Sequence, residues 1–112
     1  MPVVKYADMP VATMGANVDR RQAHTDNLML TVIDLRGRGS QVPVHAHPHE
    51  QISYVAEGKV SFTVGEGENQ TVAEVGPGDV VVAPPNTPHG VEVLSDHARV
   101  IDAFHPIRED FL

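Results

Sequence analysis

The apolar positions of this chain recur at intervals typical of short β-strands. Val60, Phe62 and Val64 share one parity and the polar residues between them share the other, so Lys59 to Val64 is predicted to be a half-buried strand. No stretch of about ten residues carries the periodicity of an amphipathic helix. Glycines and prolines punctuate the chain at short intervals, which favours tight turns between strands. The pattern therefore predicts an all-β fold.

Other segments have the same character. Asn27 to Leu35 is apolar on both parities, as expected for a strand that packs on two sides. In Gln51 to Ala56, Gln, Ser and Val alternate with Ile, Tyr and Ala. The remaining predicted strands are Val18 to Ala23, Val42 to His47, Gln70 to Val75, Val80 to Ala83, Gly90 to Leu94 and Ala98 to Phe104. Pro43 and Pro48 place their strand at a sheet edge or mouth, because proline cannot donate to a ladder.

The chain length predicts a single domain covering residues 1–112, with residues 1–25 as an amino-terminal arm or strand of weaker periodicity. The chain has no Trp, two Tyr and three Phe, so its core must be built from Val, Ile, Leu and Ala. It has no cysteine, which excludes disulfides, thiolate metal ligands and a cysteine nucleophile. Any metal must therefore bind to His, Gln or carboxylate side chains.

Net charge and targeting signals limit the classes of partner that we expect for this chain. The formal net charge is −7 with neutral histidines, which opposes binding to a phosphate backbone, so no nucleic acid partner is expected. No apolar run approaches the roughly 20 residues that span a bilayer, so no membrane partner is expected either. The first residues lack a basic segment followed by an apolar one. We therefore expect a cytoplasmic protein.

Three of the seven histidines lie between Gly39 and Gly58. His45 and His47 would project to the same side of an extended segment, roughly 7 Å apart, so that both can bind one metal ion. Gln51 follows four residues later as a third neutral donor, and His89, next to Pro88, is a candidate fourth. A His-x-His pair alone is also compatible with ordinary surface or core histidines. We expect His49 to face solvent and His24, His97 and His105 to be surface or core histidines.

Asp102 shares its parity with Ala98, Val100 and Phe104, so it is predicted to lie among apolar neighbours. A buried carboxylate is costly without a partner or a role, which makes Asp102 a candidate functional residue. The alternative is an ion pair with Arg99 or with the charged tail.

Two motifs resemble those of the cupin superfamily. The first covers residues 39–58 and consists of Gly39, His45, His47, Gln51 and Gly58, with Gln where Glu is usual. The second covers residues 78–93 and consists of Gly78, Asp79, Pro84, Asn86 and His89, with Asn86 in place of Gly and Val93 in place of Asn. The resemblance implies a jelly-roll-like antiparallel β-barrel with a metal in its mouth. Its ligands would be His45, His47, Gln51 and His89. The alternative is a cupin whose site has lost its metal.

Within this superfamily the chain resembles the small single-domain proteins of the KdgF type, which act in pectin and alginate breakdown. The resemblance is carried by residues 45–58, the Arg20-Arg21 pair, Pro88-His-Gly90 and the ending from Asp102 to Leu112. It implies opening of 4,5-unsaturated uronate monosaccharides to linear keto acids in a homodimer formed through the amino-terminal strand and the sheets. By position, Asp102, Phe104 and Arg108 would line the site of a small anionic sugar acid. From the chemistry of ring opening, we expect Asp102 to be the catalytic residue that takes the anomeric hydroxyl proton.

The site chemistry agrees with this interpretation but leaves alternatives. We expect Arg108 or Arg20 to pair with the substrate carboxylate, although Arg108 could be a solvated tail charge, Phe104 a core residue, and Arg20 and Arg21 a solvated pair. Three imidazoles and an amide leave the charge of one divalent ion uncancelled, and they suit Zn, Ni, Fe(II), Mn or Co. The rival functions are a metal-dependent dioxygenase of the quercetinase kind and a non-catalytic sugar-acid-binding cupin.

Overall fold

The computed structural model describes residues 3–112 as ten strands and three short 3₁₀ turns. The strands are β1 (Val11–Thr13), β2 (Val18–His24), β3 (Met29–Arg36), β4 (Gln41–His45), β5 (Glu50–Glu57), β6 (Val60–Val64), β7 (Thr71–Val75), β8 (Val80–Ala83), β9 (His89–Val93) and β10 (His97–His105). The turns are Tyr6–Asp8, Gly67–Asn69 and Glu109–Phe111. The described residues contain no helix long and apolar enough to cross a membrane.

The strands form two antiparallel sheets. The larger has the order β1-β2-β3-β10-β5-β8 and the smaller has the order β4-β9-β6-β7. Neighbouring strands are often distant in sequence, as in the pairings of β10 with β3 and β5, which gives the fold its jelly-roll-like character. Within residues 3–112 each ladder stays inside one sheet, so the two sheets are not closed into a barrel. The predicted all-β, jelly-roll-like fold is confirmed.

The apolar core lies between the inner faces of the two sheets. Its buried members are Val18, Ile33, Leu35, Val55, Val60, Phe62, Val91, Val93, Ala98 and Val100. They alternate with outward residues along each strand, because successive side chains of a strand point to opposite faces. Burial of this Val-rich core is the main apolar contribution to stability.

β5 turns its more polar face inward. Gln51, Ser53 and Val55 are buried, whereas Ile52 and Tyr54 are 50% and 44% exposed on the outer face. The register with β10 explains this orientation, because Gln51 lies opposite Phe104 and Ser53 opposite Asp102, both of which also point inward. Polar side chains of two adjacent strands therefore meet inside the molecule.

The two departures from the second motif fit their positions. Asn86 has a φ of 61°, a left-handed conformation that asparagine tolerates better than most residues other than glycine. Its backbone N–H donates to the carbonyl of His47 at 2.7 Å, which ties this turn to the histidine segment. Val93 is fully buried in the core, where asparagine would be costly.

The amino-terminal region is joined to the larger sheet. β2 pairs with β3 from Val18 to His24, and β1, which the sequence pattern did not predict, pairs with β2. Tyr6 donates a hydrogen bond to Asp34 at 2.6 Å on the outer face of the sheet. The first two residues of the predicted arm (1–25) lie outside the described residues.

Candidate metal centre and adjoining cavity

Three histidines converge at one end of the sandwich. His45 ends β4 and His89 begins β9, and the ladder between these strands sets the two residues opposite each other. His47 follows in the bend after β4. One ring nitrogen from each histidine lies within 4.8 Å of the other two, with His47 and His89 buried and His45 more exposed. The three side chains are therefore placed to hold a single metal ion.

The backbone orients each imidazole ring. Nδ1 of His45 lies 2.9 Å from the carbonyl of Pro43, Nδ1 of His47 lies 3.1 Å from that of His49, and Nδ1 of His89 lies 2.8 Å from that of Thr87. A carbonyl oxygen can only accept, so Nδ1 carries the proton in all three rings. Nε2 of each neutral ring then has a free lone pair. This is the tautomer that can bind a metal through Nε2.

Gln51 adds an oxygen to the cluster. Its Oε1 lies 2.9 Å from Nε2 of His47, while Nε2 of His89 is buried and has no partner among the described residues. Burial lowers the pKa of both His47 and His89, so at neutral pH neither ring supplies a second proton. Lone pairs therefore face one another across the cluster. A divalent cation would satisfy them, so the residues present fit a metal.

Asp102 lies beside this cluster and is joined to it by hydrogen bonds. Ser53 donates from its hydroxyl to Oδ1 of Asp102 at 2.5 Å and accepts from Nε2 of Gln51 at 2.9 Å. Burial raises the pKa of Asp102 to about 6, although the Ser53 hydrogen bond and the charge of Arg108 act in the opposite direction. The structure thus gives Asp102 the buried position that its sequence parity predicts.

The alternative of a structural ion pair for Asp102 is wrong. Arg99 points to the outer face, where its Nε donates to Asp34 at 2.7 Å. In the tail, Arg108 forms two hydrogen bonds with Asp110, at 3.1 and 2.9 Å. Among the described side chains, the carboxylate of Asp102 therefore accepts from the Ser53 hydroxyl and from no arginine.

A cavity of about 290 Å³ opens next to the histidines between the two sheets. Its wall is mostly apolar and includes Phe62 and Phe104, while Asp102, Arg20 and Arg108 contribute polar groups. Phe104 is buried and lies edge-on to His47 with ring centroids 5.7 Å apart, so it belongs both to the core and to the cavity wall. An apolar pocket with a few convergent polar groups is typical of a small-molecule site.

Two arginines and one phenylalanine form another part of the wall of this cavity. The guanidinium carbons of Arg20 and Arg108 lie 3.5 and 4.2 Å from the centroid of the Phe111 ring. The positive charge of Arg108 is paired with the carboxylate of Asp110. Arg20 has only a long contact to Met14 Sδ at 3.8 Å, and its Nε is buried without a partner among the described residues. Burial, followed by the charge of Arg108, lowers the pKa of Arg20. The cavity therefore contains positive charge that an anionic ligand would stabilise.

The structure separates the predicted pair Arg20-Arg21. These neighbours point to opposite faces of β2, and Arg21 contacts Tyr6 and Asp34 on the outer face, so a shared solvated pair is wrong. His24, His97 and His105 are exposed and away from the cluster, as expected. His49 is half-buried, and its carbonyl orients His47.

Sequence reasoning missed Ser53 and Phe111. The only available signal for Ser53 was its shared parity with Gln51 in a strand whose partner, β10, lies about 50 residues away in the chain. The sequence pattern assigned no role to Phe111 in the tail, whereas in the structure Gln22 of β2 donates to its carbonyl at 3.3 Å. Both contacts join segments that are far apart in the chain.

Comparison with known proteins gives consistent results. The profile of the family described as Cupin domain matches residues 31–104. The pectin degradation protein KdgF of Dickeya dadantii is 33% identical over 107 residues, covering 94% of this chain and 93% of that protein. The structure of KdgF from Halomonas sp. superimposes with a TM-score of 0.85 at 32% identity, covering 96% and 97% of the two chains. An RmlC-like cupin from Shewanella frigidimarina gives 0.86 at 29% identity, with 97% and 94% covered.

The buried charge of Asp102 yields a stability prediction. Because its pKa is raised in the folded state, its contribution to stability falls as pH rises from about 4 through 6. Asp102→Asn should therefore increase the free energy of unfolding of the metal-free protein at pH ~7 by up to about 3 kcal/mol, with no gain below pH ~4. Urea unfolding across this pH range measures the difference.

Asp34→Asn is the matched control. Burial raises the pKa of Asp34, but hydrogen bonds from Arg99 and Tyr6 outweigh this effect and hold the pKa below its ordinary value. This substitution should be destabilising at neutral pH, opposite in sign to Asp102→Asn. A loss of stability at neutral pH in both variants would contradict the assignment of a costly buried charge to Asp102.

Proposed function

This chain belongs to the cupin family, and from that premise we propose that it opens the ring of 4,5-unsaturated uronate monosaccharides to linear keto acids in a metal-dependent reaction. The similarity to proteins named KdgF, one of them a pectin degradation protein, supports a sugar-acid substrate because it extends over nearly the whole of both chains. The observation that carries the proposal is one cavity next to a cluster of neutral metal-ligand side chains, with a buried carboxylate and an arginine whose buried Nε has no hydrogen-bond partner among the described residues.

The proposed ligands are His45, His47, Gln51 and His89. None of them carries a negative charge, so a bound divalent ion would supply an uncancelled positive charge at the end of the cavity. The donor set suits Zn, Ni, Fe(II), Mn or Co. The Nδ1 hydrogen bonds to backbone carbonyls hold each ring in the ligating orientation, and Ser53 holds the amide of Gln51.

Asp102 is proposed as the general base and acid. In the substrate the ring oxygen is attached to the C4=C5 double bond. When Asp102 takes the proton of the anomeric hydroxyl, C1 becomes an aldehyde, the bond from C1 to the ring oxygen breaks, and its electrons pass to that oxygen as an enolate. Return of the proton at C4 converts the enolate to the C5 ketone. A pKa of about 6 suits a group that both accepts and releases a proton near neutrality.

The arginines are proposed to hold the substrate carboxylate. Arg20 is the stronger candidate because Arg108 is already engaged by Asp110, whereas Arg20 has no carboxylate partner among the described side chains. Phe104 and Phe111 would pack against the sugar ring and exclude water from the reacting bond.

The direct test follows the ultraviolet absorbance of the conjugated C4=C5 bond and carboxylate in unsaturated galacturonate. The metal-loaded protein should remove this absorbance, and Asp102→Asn should reduce the rate by about 10²- to 10⁴-fold with its metal content intact. Unchanged turnover in that variant would reject Asp102 as the proton carrier.

The same assay separates the rival functions. Binding of the uronate without turnover would identify a sugar-acid-binding cupin. Oxygen uptake with an enediol or flavonol-like substrate, and no uronate turnover, would identify a dioxygenase.

A second prediction uses the neighbours Arg20 and Arg21. Arg20→Gln should raise KM about tenfold or more with a smaller effect on kcat, because a charge-assisted hydrogen bond to the carboxylate is lost. Arg21→Gln removes the same charge from the opposite face of β2 and should leave KM unchanged. Equal KM values for all three proteins would exclude a carboxylate contact at Arg20.

We also propose a homodimer formed through the outer face of the larger sheet. Ile52, Tyr54, Val80 and Val82 expose a contiguous apolar surface on the adjacent strands β5 and β8, beside Leu28 and Leu30. A surface of this kind marks an interaction site, and a two-fold axis lets one apolar patch cover its own copy. β8 is also one of the two edge strands of this sheet.

Light scattering tests the dimer. The unmodified chain should have twice the mass of one chain, and Val82→Glu should reduce it to the monomer mass because a charge would be buried in the interface. Val72→Glu places the same charge on an exposed valine of β7 in the other sheet and should keep the dimer. A monomeric unmodified protein would refute the proposal.

A further inference from the structure

We infer that Ser53 is a positioning residue whose hydroxyl sets the direction of a buried hydrogen-bond chain, and that this direction accounts for glutamine rather than glutamate at position 51. The chain of contacts runs from Asp102 through Ser53 and Gln51 to His47. All four side chains are buried, and Gln51 and Asp102 also line the cavity. The part of this inference that concerns metal binding by Gln51 rests on the proposed function, whereas the hydrogen-bond direction does not.

The direction follows from counting donors. Above the pKa of Asp102 its carboxylate can only accept, so the single hydroxyl proton of Ser53 must point to Oδ1 of Asp102. The oxygen of Ser53 then accepts, and within residues 3–112 its donor is Nε2 of Gln51. An amide that donates through its nitrogen presents its oxygen at the other end, which is the end that faces Nε2 of His47.

Ser53 therefore controls two groups at once. It selects the amide orientation in which Gln51 offers an oxygen, and not an N–H₂ group, to the histidine cluster. It also holds the carboxylate of Asp102 opposite it on the paired strand β10. Without the hydroxyl, the Gln51 amide nitrogen would lose its acceptor and Asp102 would lose its donor.

Glutamate cannot replace glutamine in this chain of contacts. A carboxylate at position 51 has no proton to donate, so the one proton of Ser53 would have to serve two buried carboxylates. One of these buried carboxylates would remain without a protein donor, which is costly. The first cupin motif usually has glutamate here, so the departure at Gln51 is explained by the pairing of Ser53 with Asp102.

A double-mutant cycle on the metal-free protein tests this direction, at a pH well above the pKa of Asp102. Gln51→Glu should lower Tm by roughly 5 °C or more. In the Asp102→Asn background, Gln51→Glu should lower Tm by less than half as much. The introduced amide can donate to Ser53, which can then donate to the introduced carboxylate, so that the chain of contacts runs in reverse. An equal loss of Tm in both backgrounds would overturn the inference.

Direct repulsion between two carboxylates would produce coupling of the same sign. The cycle is therefore repeated in the Ser53→Ala background, where a coupling carried by the hydroxyl should disappear and a direct repulsion should persist. Persistence of the full coupling in Ser53→Ala would overturn the role of Ser53.

Metal affinity provides an independent measurement. Ser53→Ala should bind Zn²⁺ about 10- to 100-fold more weakly than the unmodified protein, because the Gln51 amide is no longer held. Ser61→Ala removes a hydroxyl from a half-buried position of β6 and should leave the affinity unchanged. Equal affinity of Ser53→Ala and the unmodified protein would refute the inference.

The two proposals can fail separately. If the unmodified protein binds none of Zn²⁺, Ni²⁺ and Mn²⁺, the metal-dependent function fails, while the unfolding cycles still decide the role of Ser53.

Discussion

The pairing of β5 with β10 is the contact on which the site depends. It sets Ser53 opposite Asp102 and Gln51 opposite Phe104, and it turns all four side chains toward the interior. Buried polar groups need partners, and here they find them in one another. A shift of this ladder by one residue would expose the polar side chains and bury Ile52 and Tyr54, because successive side chains of a strand alternate between the faces. The apolar core and the polar site thus require the same register.

Electrostatics gives the site its chemical character. The histidine cluster presents lone pairs without matching protons, and Asp102 is a carboxylate in a place that disfavours its charge. Both features reduce the stability of the metal-free protein, and both are offset only in part by hydrogen bonds. Such groups are retained at functional sites, where the cost in stability is the source of reactivity.

The second sheet and the tail complete the cavity. β4 and β9 bring His45 and His89 together, and the turn containing Asn86 attaches the segment that carries His47. Phe111 contacts both guanidinium groups, so the carboxyl-terminal turn forms part of the cavity wall and holds Arg20 and Arg108 at the cavity. The positive side of the cavity is therefore assembled from β2 and the tail, at opposite ends of the chain.

The sequence by itself determined the local features of this protein. Alternation along each strand and the Gly and Pro turns were sufficient for nine of the ten strands of residues 3–112, and the residue types of the two motifs indicated the histidines and the glutamine that the structure brings together. The short strand β1 carried too few residues for a pattern. Only the tertiary structure decided which face of β5 is buried, that Arg20 and not Arg21 enters the cavity, and that Ser53 and Phe111 belong to the site. These outcomes depend on hydrogen-bonded pairing and side-chain contacts between segments far apart in the chain. The free energy of such contacts is not encoded in the periodicity of any one segment.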